Sequence, residues 1–298
     1  MKPVAKQSDR KAAFTPLEKK PHPLGVVKKR GGGLRSHPSF LTGFTIIELM
    51  TVMSVIIILI GLLVPGLNAL KQYARKVTQK NQFYAIGVAL ETFNAEWDGY
   101  PESRPGISPC GATQLATAMV GWDLLGYDPK GDYVKADLSG RRTYLPPGKA
   151  NAYKLVDLYG PGAVGTFTGD EYVLCDVYTN VEHLGTGKLV GMPILYYKAN
   201  TSKHTHNITD PDDLENIYNY LDNHTLVALG MPWHLPSAGG PNHQLYDEPK
   251  KFYEMTVDEK FDIDEDGVPD RPQRADSYIL LSAGFAGIYG TDDDMFNF

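Results

Sequence analysis

The chain has no G-x-S-x-G, H-E-x-x-H, phosphate-binding loop or dinucleotide fingerprint. It therefore shows none of the short patterns that carry nucleophilic, zinc-dependent or nucleotide chemistry, and a non-enzymatic role is expected. Cysteine is scarce: Cys110 and Cys175 are the only two in 298 residues. Compositional bias is missing as well. Apolar residues make up 42% and charged residues 21%, which excludes a disordered or collagen-like chain. Positive charge is sparse beyond residue 43. Residues 1–43 hold ten Lys/Arg against two Asp/Glu, a net of +8, and the remaining residues hold 19 against 33, a net of −14. So acidic a body repels phosphate, and nucleic acid is excluded as a partner.

A long apolar run marks the change of sign. From Phe44 to Leu67 the only charged residue is Glu48, and the length suits a helix crossing a bilayer, which takes about 20 residues. Lys28, Lys29, Arg30 and Arg35 lie upstream, as expected for a cytoplasmic N-terminal side, which puts the acidic body across the membrane. The run is longer than a secretory signal core and lacks an A-x-A-like cleavage site behind it, so an uncleaved anchor fits the hydropathy better. Glu48 fits neither pattern. A carboxylate inside a spanning helix costs on the order of a few kcal/mol unless paired or at headgroup depth.

Gly43-Phe44-Thr45-Ile46-Ile47-Glu48-Leu49 resembles the processing site of type IV prepilins and type II secretion pseudopilins. The resemblance implies cleavage between Gly43 and Phe44 by the prepilin peptidase and N-methylation of Phe44. It also implies a role for Glu48 in neutralising the new amine of a neighbouring subunit during assembly. Such a pair selects an axial register, since either charge alone would be costly to bury. Pro65 matches the proline found near the end of that family's apolar segment.

Beyond the run, Leu70, Tyr73, Ala74 and Val77 begin an apolar stripe. It is broken at Gln79-Lys80-Asn81-Gln82 and resumes as Phe83, Ile86, Leu90, Phe93 and Trp97. This is the period of an amphipathic helix ending near Asp98-Gly99-Tyr100-Pro101, a loop that also resembles the family. The aromatic members suit docking on a sheet better than a coiled-coil seam. Residues 102–170 read as a short helix around Thr113–Val120, loops and surface decoration. Residues 172–178, 193–197 and 278–282 have strand character, and 198–250 reads as an insertion with a helix near 212–223. The fold class expected is α+β, a long N-terminal helix packed on a small antiparallel sheet, as in type IV pilins. The expected organisation is a basic leader (1–43), an apolar transmembrane and assembly helix (44–67), an amphipathic stalk (68–98) and an extracytoplasmic head (99–298).

Two acidic segments are candidate calcium sites. Asp262, Asp264, Asp266 and Asp270 alternate around Gly267, a pattern able to wrap oxygen ligands about one ion, although Gln273 stands where an EF-hand has glutamate; a solvated acidic loop is the alternative. The C-terminal stretch Leu281–Asp294 resembles the end of major pseudopilins, whose acidic loop binds calcium. That resemblance points to Asp292 and Asp294, with Ala286 standing where the family has aspartate. His204 and His206 lack a third ligand at a recognisable spacing, and the 18 tyrosines are spread as packing residues. Cys110 and Cys175 form either one disulfide in an oxidising compartment or two buried thiols.

Taken together, the resemblance implies a structural subunit of a type II secretion pseudopilus, most like the major, G-type pseudopilin. It would sit in the inner membrane by a single pass with its head in the periplasm. Its partners would be copies of itself, other pseudopilins, the prepilin peptidase and the inner-membrane assembly platform. A type IV pilus pilin and a membrane-tethered binding protein are the alternatives.

Overall fold

The computed structural model describes residues 43–103, 110–129, 140–162, 167–261 and 271–298. They fall into two compact units, one ending at Ile56 and one spanning Ile57–Phe298. Helix α1 (Ile46–Trp97) starts in the first and ends in the second. It is the one helix among the described residues long and apolar enough to cross a membrane. Residues 44–67 are exposed on every face, as suits a segment whose solvent is lipid or other apolar helices. The helix continues through Pro65, which lacks the N–H that would bond the carbonyl of Gly61. It stops at Asp98, which turns into the left-handed region (φ 54°), with Gly99 and Pro101 beyond it.

Farther along α1 the observed inner face differs from the apolar stripe. Leu70, Tyr73 and Val77 are exposed, whereas Gln79 and Gln82, read as a break, are buried with Phe83, Ile86, Ala89, Leu90 and Phe93. The two glutamines supply polar docking. Gln82 Nε2 donates to the Cys175 carbonyl (2.8 Å), and Gln79 Oε1 accepts from the Val177 amide (3.0 Å). The side chains thus satisfy backbone groups where strand pairing gives out.

The remaining elements are α2 (Gly111–Val120), α3 (Pro147–Ala150), β1 (Ala152–Lys154), α4 (Leu155–Tyr159), β2 (Tyr172–Leu174), β3 (Val181–Glu182), β4 (Leu189–Val190), β5 (Leu195–Lys198), α5 (His224–Val227), α6 (Gln244–Asp247), α7 (Lys250–Thr256), β6 (Tyr278–Ser282) and β7 (Met295–Phe296). Strands β5, β6 and β7 form an antiparallel sheet in that order, with Tyr196 opposite Leu280 and Ser282 opposite Met295. The β1–β2 ribbon is tied to it where Cys175 bridges Pro193 and the Ile194 amide donates to the Leu174 carbonyl (2.7 Å).

Side chains alternate across these strands with period two. Leu174, Ile194, Tyr196, Tyr278 and Leu280 join α1 and α2 in one core. Val173, Cys175, Leu195, Tyr197, Ile279 and Leu281 face a second core on the other side. Both sheet faces are therefore covered, which is why β6 reads as an unbroken apolar run rather than an alternating one.

The second core is built from segments expected to be decoration or insertion. Leu155, Leu158 and Phe167 enter it from the first, and Tyr218, Leu226 and Leu245 from the second, joined by Phe252 and Tyr253 of α7 just beyond. No helix forms over 212–219. Side chains of the Asx type capture the local amides instead: Asn207 Oδ1 accepts from Thr209 and Asp210, and Asp213 Oδ1 from Glu215. Helical geometry starts at the 3₁₀ turn Tyr220–Asp222, capped by Asn219.

Candidate processing and assembly site

Gly43, Phe44 and Thr45 precede α1, and Phe44 is 81% exposed. The turn that follows is a capping box. The Glu48 amide donates to Thr45 Oγ1 (3.2 Å), while Glu48 Oε2 accepts from the Thr45 amide (2.9 Å) and hydroxyl (2.8 Å). The T-x-x-E pattern was readable in the sequence but was hidden behind the membrane-carboxylate question. Glu48 is thus partly satisfied within its own helix end. Its Oε1 has no hydrogen-bond partner among the described residues and is open to a second cation.

The C-terminal acidic loop is folded on itself. Gly284 (φ +62°) lies so near the Asp293 carbonyl that an added Cβ would be 2.1 Å from it, so only glycine fits there. Asp293, not among the expected ligands, accepts from the Ala286 amide (2.6 Å) and the Thr291 hydroxyl (2.5 Å). Asp294 Oδ2 accepts from the Gly290 amide (2.7 Å), while its Oδ1 is buried without a hydrogen-bond partner among the described residues. Burial pushes the Asp294 carboxyl up to about 8. Asp292 is exposed.

Beneath this loop lies a carboxylate missed in the sequence. Asp176 Oδ1 accepts from the Tyr178 and Met192 amides (both 3.1 Å), and its Oδ2 accepts from Ser282 Oγ (2.7 Å). Burial pushes Asp176 up to about 8 as well, with these hydrogen bonds opposing. The readable signal was one carboxylate inside the apolar run Val173-Leu174-Cys175-Asp176-Val177.

Asp262, Asp264, Asp266 and Asp270 lie outside the described residues. Among the described residues no three metal-ligating side chains cluster. His206 is buried against Tyr253, its Nε2 2.8 Å from the Tyr253 carbonyl. Cys110 and Cys175 are free, buried thiols in the second core rather than a disulfide. Both behave there as small apolar groups, and burial raises both thiol pKa values.

A long exposed apolar helix, opened by Gly-Phe and carried into an antiparallel α+β body, defines a type IV pilin-like chain. No family model matches it, and no solved structure matches it significantly. Two curated proteins are similar. The type II secretion system core protein G of Pseudomonas aeruginosa is 29% identical over 141 residues, which are 44% of this chain and 89% of the relative. The protein of the same name from Escherichia coli is 30% identical over 132 residues, 42% of this chain and 85% of the relative. The chain belongs to the family of type II secretion system core protein G, the G-type pseudopilins.

Proposed function

We propose that the chain is a structural, non-enzymatic subunit of a type II secretion pseudopilus. The basic leader 1–43 is removed between Gly43 and Phe44 by the prepilin peptidase, and Phe44 is N-methylated. Residues 44–67 hold the subunit in the inner membrane by a single pass, with the stalk (68–98) and head (99–298) in the periplasm. The subunit then polymerises with its own copies and other pseudopilins on the inner-membrane assembly platform. The observation that carries this reading is the Gly43–Phe44 junction standing directly before the capping box of an apolar helix whose residues 46–67 find no cover among the described residues. Buried among neighbouring helices, the free Oε1 of Glu48 would cost on the order of a few kcal/mol. The Phe44 amine of an adjacent subunit removes that cost at one axial register.

One calcium ion belongs to the same proposal. The loop Gly284–Asp294 supports it through the buried, partnerless oxygen of Asp294, with Asp292 as the accompanying carboxylate. The ion would neutralise charge in the loop and brace it. The aspartates at 262, 264, 266 and 270 are the other candidates.

Intact-mass measurement of the membrane-extracted protein tests the proposal. The expected mass is that of a chain starting at Phe44 and carrying one methyl group, and Glu48→Ala is expected to be processed but not to polymerise. A chain retaining Met1 refutes the processing, and normal polymers of Glu48→Ala refute the charge pair.

A further inference from the structure

The outward side of α1 carries a second apolar stripe. Leu70, Tyr73, Val77, Tyr84 and Val88 are all exposed and fall within a narrow arc opposite the buried face at 100° per residue. Beside Tyr84 (76% exposed) and Val88 (50%) the surface opens into a groove of about 790 Å³, walled on its other side by Tyr278 and Phe298. Gly87 lets the helix run close to β6, since a Cβ there would be 3.2 Å from the Tyr278 hydroxyl.

Two cations and one acid line the groove. The cations are Lys80 and Arg274, and neither has an ion-pair partner among the described residues. Arg274 is held in place. Its backbone sits at φ 53°, its Nε donates to the Tyr278 carbonyl (3.0 Å), and its guanidinium lies 4.9 Å over the Tyr278 ring. Glu91, the acid in the groove, is engaged by the Tyr100 hydroxyl at 3.0 Å.

Elsewhere on the same unit stands a matching projection. Leu214 is 85% exposed, the highest value for any large apolar residue described, with Asp212 and Asp213 before it and Glu215 after it, the last paired with Lys203 at 2.7 Å. Its loop is not slack. The Asp213 amide donates to the Asp210 carbonyl (3.2 Å), Asn216 Nδ2 to the same carbonyl (3.2 Å), and Asn207 Nδ2 to Asp213 Oδ2 (3.1 Å). A leucine fixed in water on so tightly bonded a loop is preorganised for contact, and little entropy remains to be lost on docking.

We propose that Leu214 and its acidic loop in one copy of the chain dock in the apolar groove beside Tyr84 and Val88 of a second copy, where Lys80 and Arg274 face them. The occupant is chosen by charge: acidic residues flank the projecting leucine, and the two cations without ion-pair partners line the recess. The two surfaces share no residue, so the contact is heterologous. Repetition of such a contact propagates an open helical polymer instead of closing a dimer. The inference rests on the polymer reading above and adds to it a head-to-head contact formed by residues outside the apolar N-terminal segment.

Cysteine pairing in assembling cells tests it with the full-length chain. Val88→Cys and Leu214→Cys, both at exposed positions, are expressed separately and together, then oxidised. Cys110 and Cys175 are buried and do not compete. Covalent dimers are expected only when the two variants are mixed. Lys80→Glu is expected to lower their yield several-fold, and Asp212→Lys in the Leu214→Cys copy to restore it. Polymers that form normally without a mixed-variant dimer overturn the docking proposal alone, as does equal dimerisation of either variant by itself. If the wild-type chain forms no polymer under the same conditions, the polymer reading falls and this contact with it.

Discussion

Asp176 makes the stability of the protein depend on pH in the direction opposite to that of a salt-bridged carboxylate. Its folded pKa is raised from 3.8 to about 8 by burial. Between those values the native state holds a proton that the unfolded chain has lost, so stability falls as pH rises. For this one group the slope corresponds to about 3 kcal/mol between pH 5 and 7. Asp294, raised by the same cause, adds a loss of the same sign. Asp176→Asn imitates the protonated acid. Its oxygen still accepts from the Tyr178 and Met192 amides, and its new N–H₂ faces Ser282 Oγ, which can accept. The assay is the thermal midpoint of the full chain in detergent with a chelator present, followed from pH 5 to pH 8. Asp222, raised to about 7 by burial, adds to the loss. His206, His224 and His243, whose pKa values burial lowers, oppose it below about pH 6.5, so the contribution of Asp176 is read as the difference between wild type and the Asn variant. The Asn variant is expected to show a shallower slope and to exceed wild type at pH 8. Wild-type and Asn-variant midpoints that run parallel from pH 5 to pH 8 would refute a buried protonated carboxyl.

How much of this architecture could be read from the residues depended on whether a segment's partners were local. The apolar run was legible as part of one long helix because length and apolarity act within the segment itself. Strands β2, β5 and β6 were legible because buried β-branched and aromatic runs have few other uses, whereas the two-residue β7 (Met295–Phe296) was too short to show such a run. The inner face of α1 was misread at its polar end. Gln79 and Gln82 are buried for the sake of carbonyl and amide groups on residues 175 and 177, and no spacing within the helix announces a distant backbone partner. The expected helix over 212–223 failed for a local reason that was readable, since Asn207, Asp210 and Asp213 favour Asx turns over helical bonds. Asp176 was passed over because a single acid in a strand shows no ligand spacing. What makes it a site is Ser282, more than a hundred residues away in the chain, meeting it across the fold.

The docking of α1 on the sheet can be probed from both sides of its chemistry. Phe93→Ala removes a buried ring that meets Tyr127 and Tyr144 edge-on at 5.1 and 5.2 Å. It is expected to cost about 3–5 kcal/mol in denaturant unfolding, and a loss below 1 kcal/mol would show that the ring is not a core member. Gln82→Ala strands the Cys175 carbonyl and is expected to cost about 1–3 kcal/mol, whereas unchanged stability would remove the glutamine from the docking. Calcium binding is tested by chelation, and the structure sets the sign. An ion seated on Asp294 requires that carboxyl to be ionised, yet burial, with the nearby Asp293 and Asp176 carboxylates, holds it protonated up to about 8. Ion and proton therefore compete, and added calcium is expected to raise the thermal midpoint more at pH 8 than at pH 5. Asp294→Asn should abolish that pH-dependent gain while leaving the apo midpoint at pH 5 nearly unchanged, because Asn retains an acceptor for the Gly290 amide. A gain of the same size at both pH values, or one that survives in Asp294→Asn, would place the ion on other residues.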